Sequence, residues 1–294
     1  MKQAITFLLI VLCCGTLSAQ TTLEYNLKIG DVFVIQQNAH QSIIQELDGA
    51  THELTNDLNG ILEFEVTNIL ENSYEVAFYF RDLNLAMNSS IQGELMNVKA
   101  KEVSEEDMQS QIFNSLLNTP IKLILSKNGD ILEVIGGDSL ITKMANASGL
   151  EDEFSKNMMK KGLEKEFGSE ALSNSYKQLT YIYSDSLVAK DATWQNEYFG
   201  KLNAKNTWTL KEISDTSATI SGVAEVLMET NESGTVMNLA GSQTTLIQTD
   251  LTTGFIFKMT VEGQYEGVSK MTQLGDQEIP TTISSTITYK QIKD

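Results

Sequence analysis

The sequence predicts a mainly β protein with α segments: one large curved antiparallel sheet, with a central helical segment packed on it. Three observations carry that expectation. Apolar and polar residues alternate with period two at both ends of the chain. A helical period replaces the alternation only between about residues 104 and 183. Turn residues punctuate the alternating stretches at hairpin spacing.

The elements follow in chain order. In Leu62-Glu63-Phe64-Glu65-Val66 apolar and acidic residues take turns, and Val76, Phe78 and Phe80 share one strand face. Glu71-Asn72-Ser73 reads as a turn between these two strands. Asn128-Gly129 separates Ile121–Leu125 from Ile131–Val134 and is the strongest hairpin signal, because both residues tolerate positive φ. Ser214-Asp215-Thr216 reads as a further turn. Later, Phe255, Phe257, Met259 and Val261 stand opposite Lys258, Thr260 and Glu262. At the end, Ile283, Ile287 and Tyr289 stand opposite Thr282, Ser284, Thr286, Thr288 and Lys290. One buried and one wet side per strand is the pattern of antiparallel sheet.

Between them lie the helices. Ser104-Glu105-Glu106-Asp107 reads as a capping box opening a helix to about Asn118. Asp138 caps a second helix to about Ser148. Leu150, Phe154, Met158, Leu163 and Phe167 form a stripe on a third, over about 151–167, which is expected either to pack on the sheet or to act as a Met-rich lid. A fourth follows from Glu170 to about Tyr183.

The organisation expected is a leader at 1–19 and a single domain over 20–294, with sheet halves at 23–136 and 187–292 and helices over 104–183. A faint internal repeat pairs 66–76 with 210–220, 28–33 with 189–194, and 128–131 with 253–256, in the same order. Duplication of a sheet half and the generic likeness of hairpins both account for it.

Lys2, the apolar run Phe7–Cys14 and Leu17-Ser18-Ala19 compose a secretory signal peptide with cleavage before Gln20. The expectation is an exported protein: periplasmic, outer-membrane-associated or secreted. Both cysteines, Cys13 and Cys14, would leave with the leader, so neither disulfide nor thiolate chemistry is expected beyond it. No later apolar run approaches the roughly 20 residues of a transmembrane helix. The formal net charge of −18, already acidic and more so without Lys2, argues against nucleic acid and against an anionic lipid surface.

Motif chemistry is thin. Gly137-Asp138-Ser139-Leu140 matches the nucleophile motif of a hydrolase family, but a serine needs a base, and both histidines, His40 and His52, precede it with no Asp-x-x-His behind. Neither histidine sits in a metal-ligand spacing. Asp57-Leu58-Asn59-Gly60 fails as a calcium loop, since Thr55 and Val66 fall where acidic ligands belong. Glu63 and Glu65 share a strand face and read as solvated carboxylates. No catalytic residue, cofactor or metal is expected.

Lys28 to Asp31 near the start and Asp250 to Gly254 late in the chain, with long alternating strands between, resemble an uncharacterised family of secreted β-rich envelope proteins of Gram-negative bacteria. The layout is also similar to periplasmic lipoprotein carriers, in which a curved half-barrel wraps an apolar concavity under helices. The second resemblance implies a lipid or other apolar ligand, with Phe78, Phe80, Met158, Phe255 and Phe257 as the lining candidates. The alternative is a structural or protein-interaction component of the envelope, with a protein partner and no small ligand.

Overall fold

The computed structural model describes residues 20–293 apart from 105, 201, 233, 273, 274 and 276; the leader and its cysteines lie outside the described residues. The elements are β1 (Val32–Leu47), β2 (Ala50–Ile69), β3 (Ser73–Ser89), β4 (Gly93–Lys99), α1 (Met108–Leu116), β5 (Ile121–Ser126), β6 (Ile131–Ile135), α2 (Gly137–Ala147), α3 (Glu153–Phe167), α4 (Ser169–Thr180), β7 (Thr193–Tyr198), β8 (Leu202–Ile213), β9 (Ser217–Glu232), β10 (Thr235–Asp250), β11 (Ile256–Met271) and β12 (Glu278–Ile292).

All twelve strands join one open antiparallel sheet in the order β6-β5-β3-β2-β1-β12-β11-β10-β9-β8-β7, with β4 also paired to β3. The chain meanders outward from β1 to β6 and back inward from β7 to β12, so its first and last strands meet at the centre, with Gln37 opposite Tyr289. The two open edges, β6 and β7, belong to strands separated only by the helical segment. An uncovered edge leaves a row of unpaired backbone groups, and α4 packs beside β6 and reaches β7.

Alternation sets the register. On one face Phe33 pairs with Phe64 and Phe64 with Phe78, while Ile35 pairs with Leu62 and Leu62 with Phe80. A one-residue slip would turn all of them to water. These aromatics form the floor of the core. Phe33 stacks on Phe255 at 4.0 Å, Phe64 meets Phe78 at 5.0 Å, and Phe78 meets Tyr176 of α4 at 4.6 Å between ring centroids. Trp208, fully buried, lies over its cross-strand partner Gly222, where a Cβ would come within 2.4 Å of the indole.

The segment before β1 crosses the base of the sheet. Tyr25 N–H donates to Lys127 O and Asn26 N–H to Thr253 O, both at 2.8 Å. Gly254 has φ +72° and a Cβ there would meet Glu24 O at 2.1 Å, so the late motif is glycine because a chain passes directly over it. Asp250 Oδ1 accepts from the backbone N–H groups of Thr252 and Thr253 and holds that turn. Asp250 and Gly254 of the late motif thus have structural roles, one holding the turn and the other making room for the crossing chain.

The repeat also appears in the backbone. Gly30 N–H donates to Val66 O and Val66 N–H to Asp31 O. In the second half Asp191 N–H donates to Leu210 O and Leu210 N–H to Ala192 O, with positive φ at both Gly30 and Asp191. The hairpin turns match as well, Leu70 N–H to Ser73 O and Ser214 N–H to Ser217 O.

The helices depart from expectation in detail. Asp107, not Ser104, caps α1, its Oδ1 accepting from Ser110 N–H at 2.9 Å, which delays the helix start. Gly136, at φ +112°, precedes α2, and Asp138 falls within its first turn. Asp152 caps α3, its side chain accepting from Ser155 N–H, but the apolar stripe divides: Leu163 and Phe167 pack on the core, while Phe154 and Met158 are 77% and 56% exposed. Among the described residues no helix is long and apolar enough to cross a membrane.

Candidate binding site

α4 has two working faces. Leu172, Tyr176 and Leu179 press into the aromatic core. Glu170, Ala171, Asn174, Ser175 and Gln178, spaced at helical intervals, form the opposite face and border a cavity of about 660 Å³. The end of α3 adds Lys165 and Glu166, the β7–β8 hairpin adds Tyr198, Phe199, Gly200 and Leu202, and the end of β9 adds Glu229, Thr230 and Asn231. The sheet supplies the floor: Gln37 of β1 with Ile287 and Tyr289 of β12. That volume falls within the range of small-molecule sites.

Alternation positions the floor. On β1 the side chains that follow Phe33 and Ile35 on the same face are Gln37, Ala39 and Gln41, so the aromatic floor gives way to amides. Gln37 Nε2 donates to Tyr289 OH at 3.4 Å. Gln178 Nε2 donates to Gln243 Oε1 at 3.2 Å, and Gln243 Nε2 donates to Tyr265 OH at 2.6 Å. Tyr198 OH donates to Tyr181 O at 2.8 Å. Burial pushes the Tyr198 and Tyr289 phenols well above the ordinary tyrosine range, so both stay protonated and uncharged. Among the described residues the charged lining groups, Lys165, Glu166, Glu170 and Glu229, are exposed at the rim.

The sequence-based lining residues do not assemble here. Phe78, Phe80 and Phe255 are buried in the filled core. Phe257 is half-buried beside the register shift between β10 and β11. Met158 is solvent-facing on α3. None of the five borders the 660 Å³ cavity. Beneath the aromatics lies a void of about 10 Å³, bordered by Phe33, Phe64 and Phe255, hardly room for one water. Alternation marks which side chains face inward; it does not say whether that side is filled. The residues that do line the cavity are mostly amides, hydroxyls and charges from six elements, a type common on wet strand faces too. The one local signal was the Gln37-Asn38-Ala39-His40-Gln41 run, where the apolar alternation of β1 breaks.

Other motif residues have structural partners. Glu63 is held by Arg81, Nε to Oε2 at 2.8 Å, and Arg81 also lies 4.4 Å from the Tyr79 ring centre. His40 bonds Asp57 at 2.7 Å and His52 bonds Ser89 at 3.0 Å, both far in sequence from Ser139 on α2. Among the described residues no group of three or more acidic or histidine side chains could hold a metal ion.

Comparison with solved structures shows the fold. A structure titled "Lipid-protein interactions in lipovitellin" aligns with a TM-score of 0.52 at 10% identity, over 91% of this chain and 26% of that one. This chain thus spans about a quarter of the length of the protein it matches. An outer membrane channel from Pseudomonas putida F1 aligns over 91% of this chain and 97% of that one at 7% identity, with a TM-score of 0.25. No curated protein matches. A family described only as of unknown function, DUF6263, matches residues 71–256, which run from the β2–β3 turn through all four helices to the start of β11, and the chain belongs to that family.

Proposed function

We propose that this protein is an exported, non-enzymatic binding protein that holds an apolar or amphipathic ligand, such as a lipid, in the cell envelope. The observation that carries the reading is the 660 Å³ cavity, roofed by α4 and floored by the sheet, with apolar Ala171, Leu202, Phe199 and Ile287 beside amide and phenol groups. Apolar walls with a few oriented polar groups suit such ligands. The shared architecture with lipovitellin, whose title names lipid–protein interactions, is consistent with it.

A second reading, a protein-interaction component of the envelope, is favoured by one observation: Phe154 and Met158 on α3 and Ile91 beside β4 stand exposed. Isolated exposed apolar residues are common on protein surfaces, so the cavity weighs more. Protein purified from its native envelope, extracted and analysed by mass spectrometry, distinguishes the two. A stoichiometric lipid or other amphiphile supports the first reading. An empty protein that crosslinks to an envelope partner supports the second.

A further inference from the structure

The cavity separates charge from depth, and that separation selects a ligand class. Among the described residues its charged lining side chains, Lys165, Glu166, Glu170 and Glu229, are exposed at the rim, and three of these four are glutamates. The deep floor is neutral. Tyr289, only 3% exposed, accepts a hydrogen bond from Gln37, and its own hydroxyl hydrogen meets no acceptor among the described residues. Gln178 uses its amide N–H on Gln243, which leaves its carbonyl oxygen without a donor among the described residues. A buried phenol donor on the cavity floor and an amide acceptor on its α4 wall ask for an uncharged partner that can both accept and donate.

Charged heads fare worse for identifiable reasons. A carboxylate or phosphate on the floor would be desolvated with no cation beside it among the described residues, and buried unpaired charge is strongly disfavoured. The start of α4 offers an anion-favouring helix end, but Glu170 in its first turn already supplies negative charge there. A buried ammonium would find no carboxylate at depth, although the acidic rim tolerates it better. Resting on the cavity reading above, we infer that the site takes a neutral hydrogen-bonding amphiphile: an apolar chain headed by hydroxyl, ester or amide groups, with anionic amphiphiles discriminated against.

Three probes with the same twelve-carbon chain test this by titration calorimetry at pH 8, each below its micelle concentration: the glycerol monoester, the carboxylate and the primary ammonium. The monoester is expected to bind at least tenfold more tightly than the carboxylate, with the ammonium between them. Tyr289→Phe keeps the ring that packs the floor; it should weaken the monoester several-fold and leave the carboxylate unchanged. A carboxylate or ammonium that binds as tightly as the monoester, or a monoester indifferent to Tyr289→Phe, overturns the neutral-head assignment while leaving an amphiphile site in place. Failure of all three probes to bind overturns the cavity reading itself.

Discussion

The two faces of α4 see the same sheet and meet opposite fates. One face, with Leu172, Tyr176 and Leu179, is locked into an aromatic floor made by Phe33, Phe64, Phe78 and Phe80. The other, with Ala171, Asn174, Ser175 and Gln178, stands over an open cavity. The difference lies in which residues the strands place inward. β1 contributes Phe33 and Ile35 to the filled region and Gln37 to the open one, within a single alternating run. Side chains large enough to meet α4 close the space; amides and small residues leave it. Stability should therefore reside on the first face and binding on the second.

The largest expected effect breaks the filled face. Tyr176 is buried and touches both Phe78 and Phe80. Tyr176→Ala should cost about 3–5 kcal/mol, read as a lower urea midpoint, as for other large-to-small core changes. A loss below about 1 kcal/mol would show that α4 is not fastened there. Next is the base, where Gly254→Ala forces a Cβ towards Glu24 O. Strain of this kind costs about 1–3 kcal/mol, and thermal unfolding should register it.

A pH change sharpens the same contrast. Burial raises the phenol pKa values of Tyr25, Tyr176 and Tyr183 above the unfolded value of about 10. The native state thus keeps protons that the unfolded chain releases, so this contribution is full below about pH 10 and is lost as pH rises beyond it. Tyrosinate absorbance from these residues should appear together with loss of near-ultraviolet circular dichroism. Their titration within an intact fold would contradict the packing described. The smallest stability effect belongs to the open face. Phe199 is 63% exposed on the β7–β8 hairpin. Phe199→Ala should shift stability by less than about 0.5 kcal/mol while weakening ligand binding in the same calorimetric assay.

The same contrast explains what the sequence disclosed. Strands, the Asn128-Gly129 and Ser214–Thr216 turns and the four helices were legible because each is written in local periodicity or turn chemistry. The large antiparallel sheet with helices on it follows from them. Helix starts slipped where two capping residues competed, as Ser104 and Asp107 do before α1. The site was not legible. Its walls come from β1, α3, α4, the β7–β8 hairpin, β9 and β12, brought together only by the central β1–β12 pairing and the bridging helices. Phe78, Phe80 and Phe255 looked like a lining because inward-facing aromatics read alike whether they border a ligand or one another.

The central claim, that the space beside α4 is a ligand site, is tested most directly by closing it. Ala171→Trp combined with Ser175→Trp projects two indoles from the cavity face of α4 and leaves its core face untouched. Wild type and variant would be purified from the cells that make them, checked for equal thermal stability, extracted and compared by mass spectrometry. A ligand site there predicts a bound amphiphile in the wild type and its loss from an equally stable variant. The same species recovered in equal amount from both, or none from the wild type, would contradict it.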